Sequence, residues 1–547
     1  MKKIKKILSV ILCIIITATL FSGCDSKNES IDFIYPFGGK IDSFDPQVAA
    51  TSDEFLIAEN CFEGLIRIRD DGTVQDGVAE SWEVSADGLK YTFKLKKGVK
   101  WRINEKSAVT ELMGENFNPD ITADDFVFAL QRAADPLTEC PLFTSIASIE
   151  NASEIHSGKM SADKLGVTAS DDYTLVISLK SADEGFLNAM STAVAMPCNR
   201  EYFNATKGRY GLGLSYSMFN GQFYVSSILE SSYILRNNKL YTGSHPSAVS
   251  DVTLSIINEE SNIPQKLKSG YYDCAYITGS EYESINDDKI TVTPYSNKLW
   301  AMVLNKNRQI FSNTDLRKAV CMSISKPDTQ QHDYLTKADG LTPPSCTIDG
   351  KPANEVIGSS SYSQNTDMAV ELWRKGLEEE KYTSANLTVI ATEDMEETAK
   401  QLVQGIQGSI GKISSYGKEG KISFSLKIDV LSQKDFDTAF SNGEYDLALY
   451  CFESSSQNAV TFLSDIIKSN YVGEIEGLDT LIKNAQNAAA NDLAASCKAV
   501  EEKIINDYSL MPIHYEASYY AQAKGVSGVD FHPGSGRVNF VNATRED

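Results

Sequence analysis

Histidine is scarce in this 547-residue chain, five residues widely scattered, too few for an imidazole-rich metal cage. Ten cysteines are present, yet no two have the close spacing of a zinc site or a redox pair. Positive charge is in deficit: 51 Lys and Arg stand against 74 Asp and Glu, a formal net charge of −23. So acidic a chain has no electrostatic case for binding nucleic acid, and an anionic membrane surface would repel it. No Gly-x-Ser-x-Gly elbow, His-Glu-x-x-His pair or phosphate-cradling P-loop occurs, which removes common local signatures of an enzyme. Long apolar runs are missing too. The best, Ile7 to Leu20, has 14 residues and is too short for a comfortable membrane span. After residue 30 there is neither a low-complexity segment nor a long linker.

What is there begins with a targeting signal. Lys2, Lys3, Lys5 and Lys6 precede the apolar run, and the small pair Ser22-Gly23 precedes Cys24. Phe21-Ser22-Gly23-Cys24 resembles a bacterial lipobox, with phenylalanine where leucine is usual. That resemblance implies cleavage after residue 23, lipidation of Cys24, and a polar tether over residues 24–30. Loss of the four leader lysines takes the formal charge from −23 to −27. The lipid, not the protein surface, would then hold the chain at a membrane. The remaining 524 residues suffice for about three domains with filled cores. Apart from Cys13 and Cys24, eight scattered cysteines remain, and they read as buried free thiols rather than a disulfide framework.

Helical and strand patterns alternate along this stretch, the mark of an α/β protein. In "AESWEVSADGLKYTFKLKKGVKW" (79–101), Tyr91, Phe93 and Leu95 alternate with Thr92, Lys94 and Lys96, the period of a half-buried strand. Asp87-Gly88 is the turn pair that reverses an incoming strand, so a β-hairpin with one aromatic face is expected. Thr122-Ala123-Asp124-Asp125 is a capping box for a helix burying Phe126, Ala129, Leu130 and Ala133, stopped by Pro136. Two distant stretches, "SGYYDCAYI" (269–277) and "NGEYDLALY" (442–450), share Gly-x-Tyr-Asp-x-Ala. Each reads as a helix ending at a glycine C-cap and passing into a buried strand, and together they suggest equivalent joints in two lobes.

The block "NCFEGLIRIRDDGTVQDGVAESWEVSADGLKYTFKLKKGVKW", followed by "ITADDFVFALQRAADP", resembles the signature region of family 5 extracellular solute-binding proteins, the peptide receptors of ABC importers. The likeness continues through "NGQFYVSSILESSYILRNNKLY" (220–241), "LNKNRQIFSNTDLRKAVCMSI" (304–324) and "DYSLMPIHY" (507–515). It implies a type II periplasmic-binding-protein fold, two lobes around a ligand cleft plus an extra α/β domain. Lobe I would hold residues 31–62, 193–298 and 508–547, the extra domain 63–192, and lobe II 299–507. The hairpin, with Trp82, Phe93 and Trp101, would then be scaffold rather than ligand platform. A monomer that partners ABC permease subunits outside the cell, and carries no cofactor or metal, is what the resemblance implies.

In peptide-binding members the ligand lies extended in the cleft, held by strand-like main-chain hydrogen bonds. By position the edge segment here would be Ala50-Thr51-Ser52. Trp300 and Phe143 stand where the family often places aromatic residues near the ligand, and core packing is the competing role for both. Oligopeptide receptors also carry a tryptophan followed, three residues on, by an aspartate that pairs with the peptide's α-ammonium. Aligned on Phe462-Leu463, those positions are Phe452 and Ser455. Serine supplies no charge to a buried ammonium, while the neighbouring Glu453 should point to the opposite face of an extended segment. Three functions follow: a receptor for peptides, the same architecture binding an oligosaccharide or a metal chelate, and a surface hydrolase. The missing motifs disfavour the last.

Overall fold

The aromatic hairpin forms as its alternation requires. Strands β2 (Ala79–Val84) and β3 (Lys90–Leu95) pair antiparallel, with β1 (Ile31–Phe37) and helix α1 (Ser52–Cys61) preceding them. Gly88 turns the chain at φ +72, a left-handed conformation that glycine adopts without strain. Tyr91, Phe93 and Leu95 are buried, Trp101 is buried and Trp82 half-buried, so the hairpin is a core wall. Helix α2 (Ala123–Ala134) packs across it with Phe126, Ala129, Leu130 and Ala133 fully buried. At its start Asp125 Oδ2 accepts the Thr122 amide at 2.8 Å, and the helix stops two residues before Pro136. Strands β4 (Val167–Asp171) and β5 (Thr174–Ser178) complete a sheet of order β2-β3-β5-β4.

The computed structural model describes residues 31–546, except 70–72, 105–106, 114–116, 184, 259–260, 286, 288, 330–331, 349, 362, 412–422, 455–457, 470–471, 487 and 533–536. Cys24 with its leader, and Ser455, lie outside the described residues.

Strands β6 (Phe223–Ile228), β7 (Ser232–Asn237) and β8 (Val249–Ile256) form a second sheet with β1, of order β1-β8-β7-β6, in which β1 runs parallel to β8. The chain then enters β9 (Cys274–Ile277), helix α3 (Gly279–Ile285) and the long β10 (Thr291–Leu304). Beyond it come β11 (Leu335–Lys337), β12 (Ser384–Thr392), β13 (Ser423–Leu431), β14 (Leu447–Glu453) and the second long strand, β15 (Leu510–Gln522). Their sheet runs β9-β15-β10-β14-β12-β13, with β11 paired to β15.

Strands β10 and β15, of 14 and 13 residues, span about 45 Å at roughly 3.3 Å per residue. They serve both lobes. Thr291–Tyr295 pairs with Ser518–Gln522 beside β9, and Lys298–Leu304 pairs with β14. Between these halves the register slips from Tyr295 to Lys298. Alternation then divides the second lobe into two cores: Leu299, Ala301 and Val303 face one, Trp300, Met302 and Leu304 the other. In β15, Leu510, Met511, Ile513 and Tyr515 join these cores, whereas Tyr519, Tyr520 and Ala521 pack in the first lobe. The chain thus crosses back near Ala517, some way beyond 507/508. One continuous core includes Phe33, the hairpin's Phe93 and Phe540, so the hairpin region and the first lobe share an interior.

The two Gly-x-Tyr-Asp-x-Ala stretches are equivalent in detail. Gly270 and Gly443 have φ +72 and +69. Asp273 Oδ2 accepts the Ile34 amide of β1 at 2.7 Å, and Asp446 Oδ2 accepts the Thr388 amide of β12 at 2.8 Å. Asp273 is paired with Arg545, and Asp446 binds Arg308 at 2.7 Å. The carbonyls of the same aspartates receive Ala523 and Asn305, just past the ends of β15 and β10. Each lobe therefore anchors one crossing strand by the same device. All eight described cysteines are free; Cys451 is half-buried and the rest are buried.

Candidate functional site

In open α/β sheets ligands collect at the carboxyl ends of the strands. The matched aspartate joints put the ends of β1 and β12 in similar positions, at Phe37 just beyond Ile34 and at Thr392 just beyond Thr388. With β14 ending at Glu453 and both crossing strands passing between the lobes, the cleft lies at these ends.

On the first lobe the loop after β1 is organised by two carboxylates. Asp53 accepts the amides of Gly38 at 3.3 Å and Lys40 at 3.1 Å, and burial pushes its carboxyl above the ordinary range despite those donors. Glu54 is also raised by burial, but the amides of Ala50, Thr51, Asp42 and Ser43 outweigh it and hold the carboxyl low. Ala50-Thr51-Ser52 is consequently a helix start, not an extended edge. Thr51 caps α1, its side chain accepting the Glu54 amide at 3.2 Å in a full capping box. The amides of Ala50 and Thr51 are committed to Glu54; Ala50 and Ser52 are exposed.

The aromatic candidates do not converge on one wall. Phe143 is half-buried in the hairpin region, its ring stacked on His156 at 3.7 Å. Trp300 is 8% exposed, and its indole donates to Glu516 Oε2 at 2.6 Å. Phe452 is 7% exposed on the opposite face, against Tyr450 at 4.8 Å. Trp300 and Phe452 lie on adjacent strands, opposite Cys451 and Leu299 respectively.

A polar cluster that the sequence left unassembled sits at the crossing. Lys298 has Glu453 on one neighbouring strand and Glu516 on the other, with Nζ 3.3 Å from Glu516 Oε1. Burial would lower the lysine, but Glu516 and Glu453 hold it above its ordinary range. Asn297, 2% exposed, donates to the exposed Glu453 at Oε1, 3.0 Å away, and its carbonyl receives the Ser454 amide at 2.8 Å. Cys451 is raised by burial and sits in the field of Lys298, Glu453, Glu516 and Asp394. Cys346, 3.3 Å from Ser454 Oγ, is pushed by burial up to about 12. Such thiols are poor nucleophiles at neutral pH. Among the described residues no three His, Cys, Asp or Glu side chains form a metal site.

The profile of bacterial extracellular solute-binding proteins, family 5 middle, matches residues 73–473. The chain belongs to that family. The dipeptide-binding protein DppE of Bacillus subtilis (strain 168) is 25% identical over 505 residues, covering 90% of this chain and 88% of its own. The periplasmic oligopeptide-binding protein OppA of Haemophilus influenzae is 25% identical over 519 residues, 90% of each chain. Its crystal structure in complex with RPPGFSPFR superposes with a TM-score of 0.74 at 22% identity, covering 95% of this chain and 99% of that one. The substrate-binding domain of an oligopeptide ABC transporter from Bacillus anthracis gives the same score, identity and coverage. The α/β two-lobed fold of the OppA type is therefore this chain's fold. Among the described residues no helix is long and apolar enough to cross a membrane.

Proposed function

We propose that this family 5 protein captures peptides in the interlobe cleft and delivers them, unaltered, to the permease of an ABC importer, as a monomer tethered outside the cell by a lipid on Cys24. The observation that carries the reading is the pair of matched lobes joined by β10 and β15, with strand ends and polar side chains gathered where they cross. In this reading Ala50, Thr51 and Ser52 border the cleft from lobe I, Trp300, Phe452 and Ser455 from lobe II, and Phe143 from the extra domain. Native mass spectrometry of the purified protein tests it, because such a receptor retains ligand from its host. Released peptides are expected; a non-peptide ligand, or turnover of a bound peptide, would overturn the proposal.

A second reading keeps the architecture and changes the cargo to a non-peptide solute. Serine at position 455 favours it, and so does a relative, the probable deoxycholate-binding periplasmic protein YgiS of Escherichia coli, 24% identical over 310 residues and 55% of each chain. Thermal-shift titration with peptides, oligosaccharides and metal chelates separates the two. Anchoring has its own test. Cys24→Ala should be released to the medium or persist as uncleaved precursor; normal membrane fractionation of a processed variant would refute the lipid anchor.

A further inference from the structure

Where the chain enters its fold, lobe I has a base that differs in charge from the rest of the molecule. Ile31 opens β1, and the Asp32 carbonyl accepts Arg545 Nη2 at 2.7 Å. Arg545 is also paired with Asp273, and Asp273 and Ile34 bond each other twice, which sets Tyr271 and Tyr272 beside the amino end of β1. Gln522 stands opposite both Cys274 and Thr291, so Lys524 and Lys289 reach the same end. The short helix Ile263–Lys268 finishes there as well. Lys266 Nζ lies 5.0 Å over the Tyr271 ring, and Lys268 Nζ is 2.9 Å from the Ser284 carbonyl oxygen. Lys268, Lys289, Lys524 and Arg545 are exposed, and Tyr271 is 47% exposed. Among the described residues these five cations meet Asp32, Asp273, Asp287 and Glu546, so the base is close to neutral on a chain that carries −23.

The tether decides what this base can face. Residues 24–30 are seven, and seven residues reach at most about 25 Å. A lipid on Cys24 keeps Ile31 within that distance of the bilayer, whatever path the tether takes. The cleft lies at the other end of β1, about 20 Å farther along its seven residues. An exposed tyrosine with lysines beside it suits the bilayer interface. Its ring is apolar with a polar tip, and lysine stems lie along apolar surface while their ammonium groups reach lipid phosphate. Anionic lipid repels the acidic remainder of the chain, so this base is the face it opposes least. We propose that the base of lobe I, centred on Tyr271, docks on the anionic bilayer surface and holds the cleft mouth away from it, open to passing peptides. The inference rests on the lipid anchor proposed above. Docking by so few charges is reversible, which leaves the lobes free to turn toward a permease.

The test uses the full mature chain, acylated at Cys24 and reconstituted in vesicles of phosphatidylcholine and phosphatidylglycerol with brominated acyl chains. Tyr271→Trp puts a reporter on the base, and Leu229→Trp puts one on the exposed turn after β6, at the cleft end of the lobe I sheet. With the parent's emission subtracted, the first reporter should shift to the blue and be quenched, and the second should do neither. Lys268→Glu with Lys524→Glu, both at exposed positions, should lower the ratio of docked to undocked protein by more than about tenfold while the circular dichroism stays that of the parent. Salt at about 1 M should act in the same direction. Equal quenching at the two positions, none at 271, or quenching at 271 that survives both lysine changes would overturn the docking. If the protein purified from membranes carries no acyl group, the anchor reading fails instead, and coupling Cys24 to a maleimide lipid decides the docking alone by the same readings.

Discussion

His514 is 2% exposed, it faces Trp300 at 6.3 Å between ring centres, and neither ring nitrogen has a partner among the described residues. Burial pushes its pKa from 6.5 down to about 4. Between those values an unfolded chain takes up a proton that the folded chain refuses, so stability is complete above about pH 6.5 and falls as the pH drops toward 4. The loss is at most about 1.4 kcal/mol for each pH unit crossed. His514→Phe keeps a planar ring and removes the proton site, so its stability should fall less on acidification. Urea unfolding at about pH 7.5 and about pH 5 measures the difference. Equal losses in the two proteins would mean that His514 is not protonated on unfolding.

At the scale of elements, β11 belongs with the second lobe, on the rungs of β15 from His514 to Glu516, yet the residue before it reaches the first. Tyr334 lies so close over Gly279, the first residue of α3, that a Cβ there would stand 2.1 Å from Tyr334 Cγ. The Tyr334 carbonyl takes the Ala517 amide at 2.8 Å, and His332 Nδ1 lies 2.9 Å from Glu283 Oε1 on the same helix. Gly279→Ala must therefore dislodge the ring or the helix, at about 1–3 kcal/mol. Adding Tyr334→Ala removes the clash, so the double variant should be more stable than the sum of the single losses implies. Additive losses in chemical denaturation would show that the two elements do not pack as described.

Much at this scale could be read from local sequence. Asp87-Gly88 gave the hairpin turn, Asp125 the start of α2, and Gly270 and Gly443 the two lobe joints, because each depends on residues a few positions apart. Thr51-Ser52-Asp53-Glu54 carried the same capping signal as Thr122 to Asp125, and it decides that Ala50-Thr51-Ser52 is a helix start. The crossing was not legible. Thr291–Leu304 is one uninterrupted strand, and nothing local marks the register slip after Tyr295. The polar cluster was hidden for the same reason: Lys298 and Glu516 are 218 positions apart, Asn297 and Glu453 156.

For the whole molecule, the distribution of cores sets how it unfolds and how a ligand changes that. One cluster unites the hairpin region with the first lobe, and two others sandwich the second lobe's sheet. Among the described residues the sheet through β10 and β15, with contacts such as Tyr334 on Gly279, couples the halves. Calorimetry of the ligand-free protein should therefore resolve two transitions, one for the first lobe with the hairpin region and one for the second lobe. A ligand that touches both walls binds only when both are folded. At a hundredfold excess over its dissociation constant it adds about 2.7 kcal/mol, and that energy is forfeited when either half opens. Saturating peptide should then raise the lower transition into the upper and merge them, while small-angle scattering reports a smaller radius of gyration as the lobes close about the crossing. A ligand that raised one transition and left the other in place would bind within a single lobe, and the cleft between β1 and β14 would not be its site.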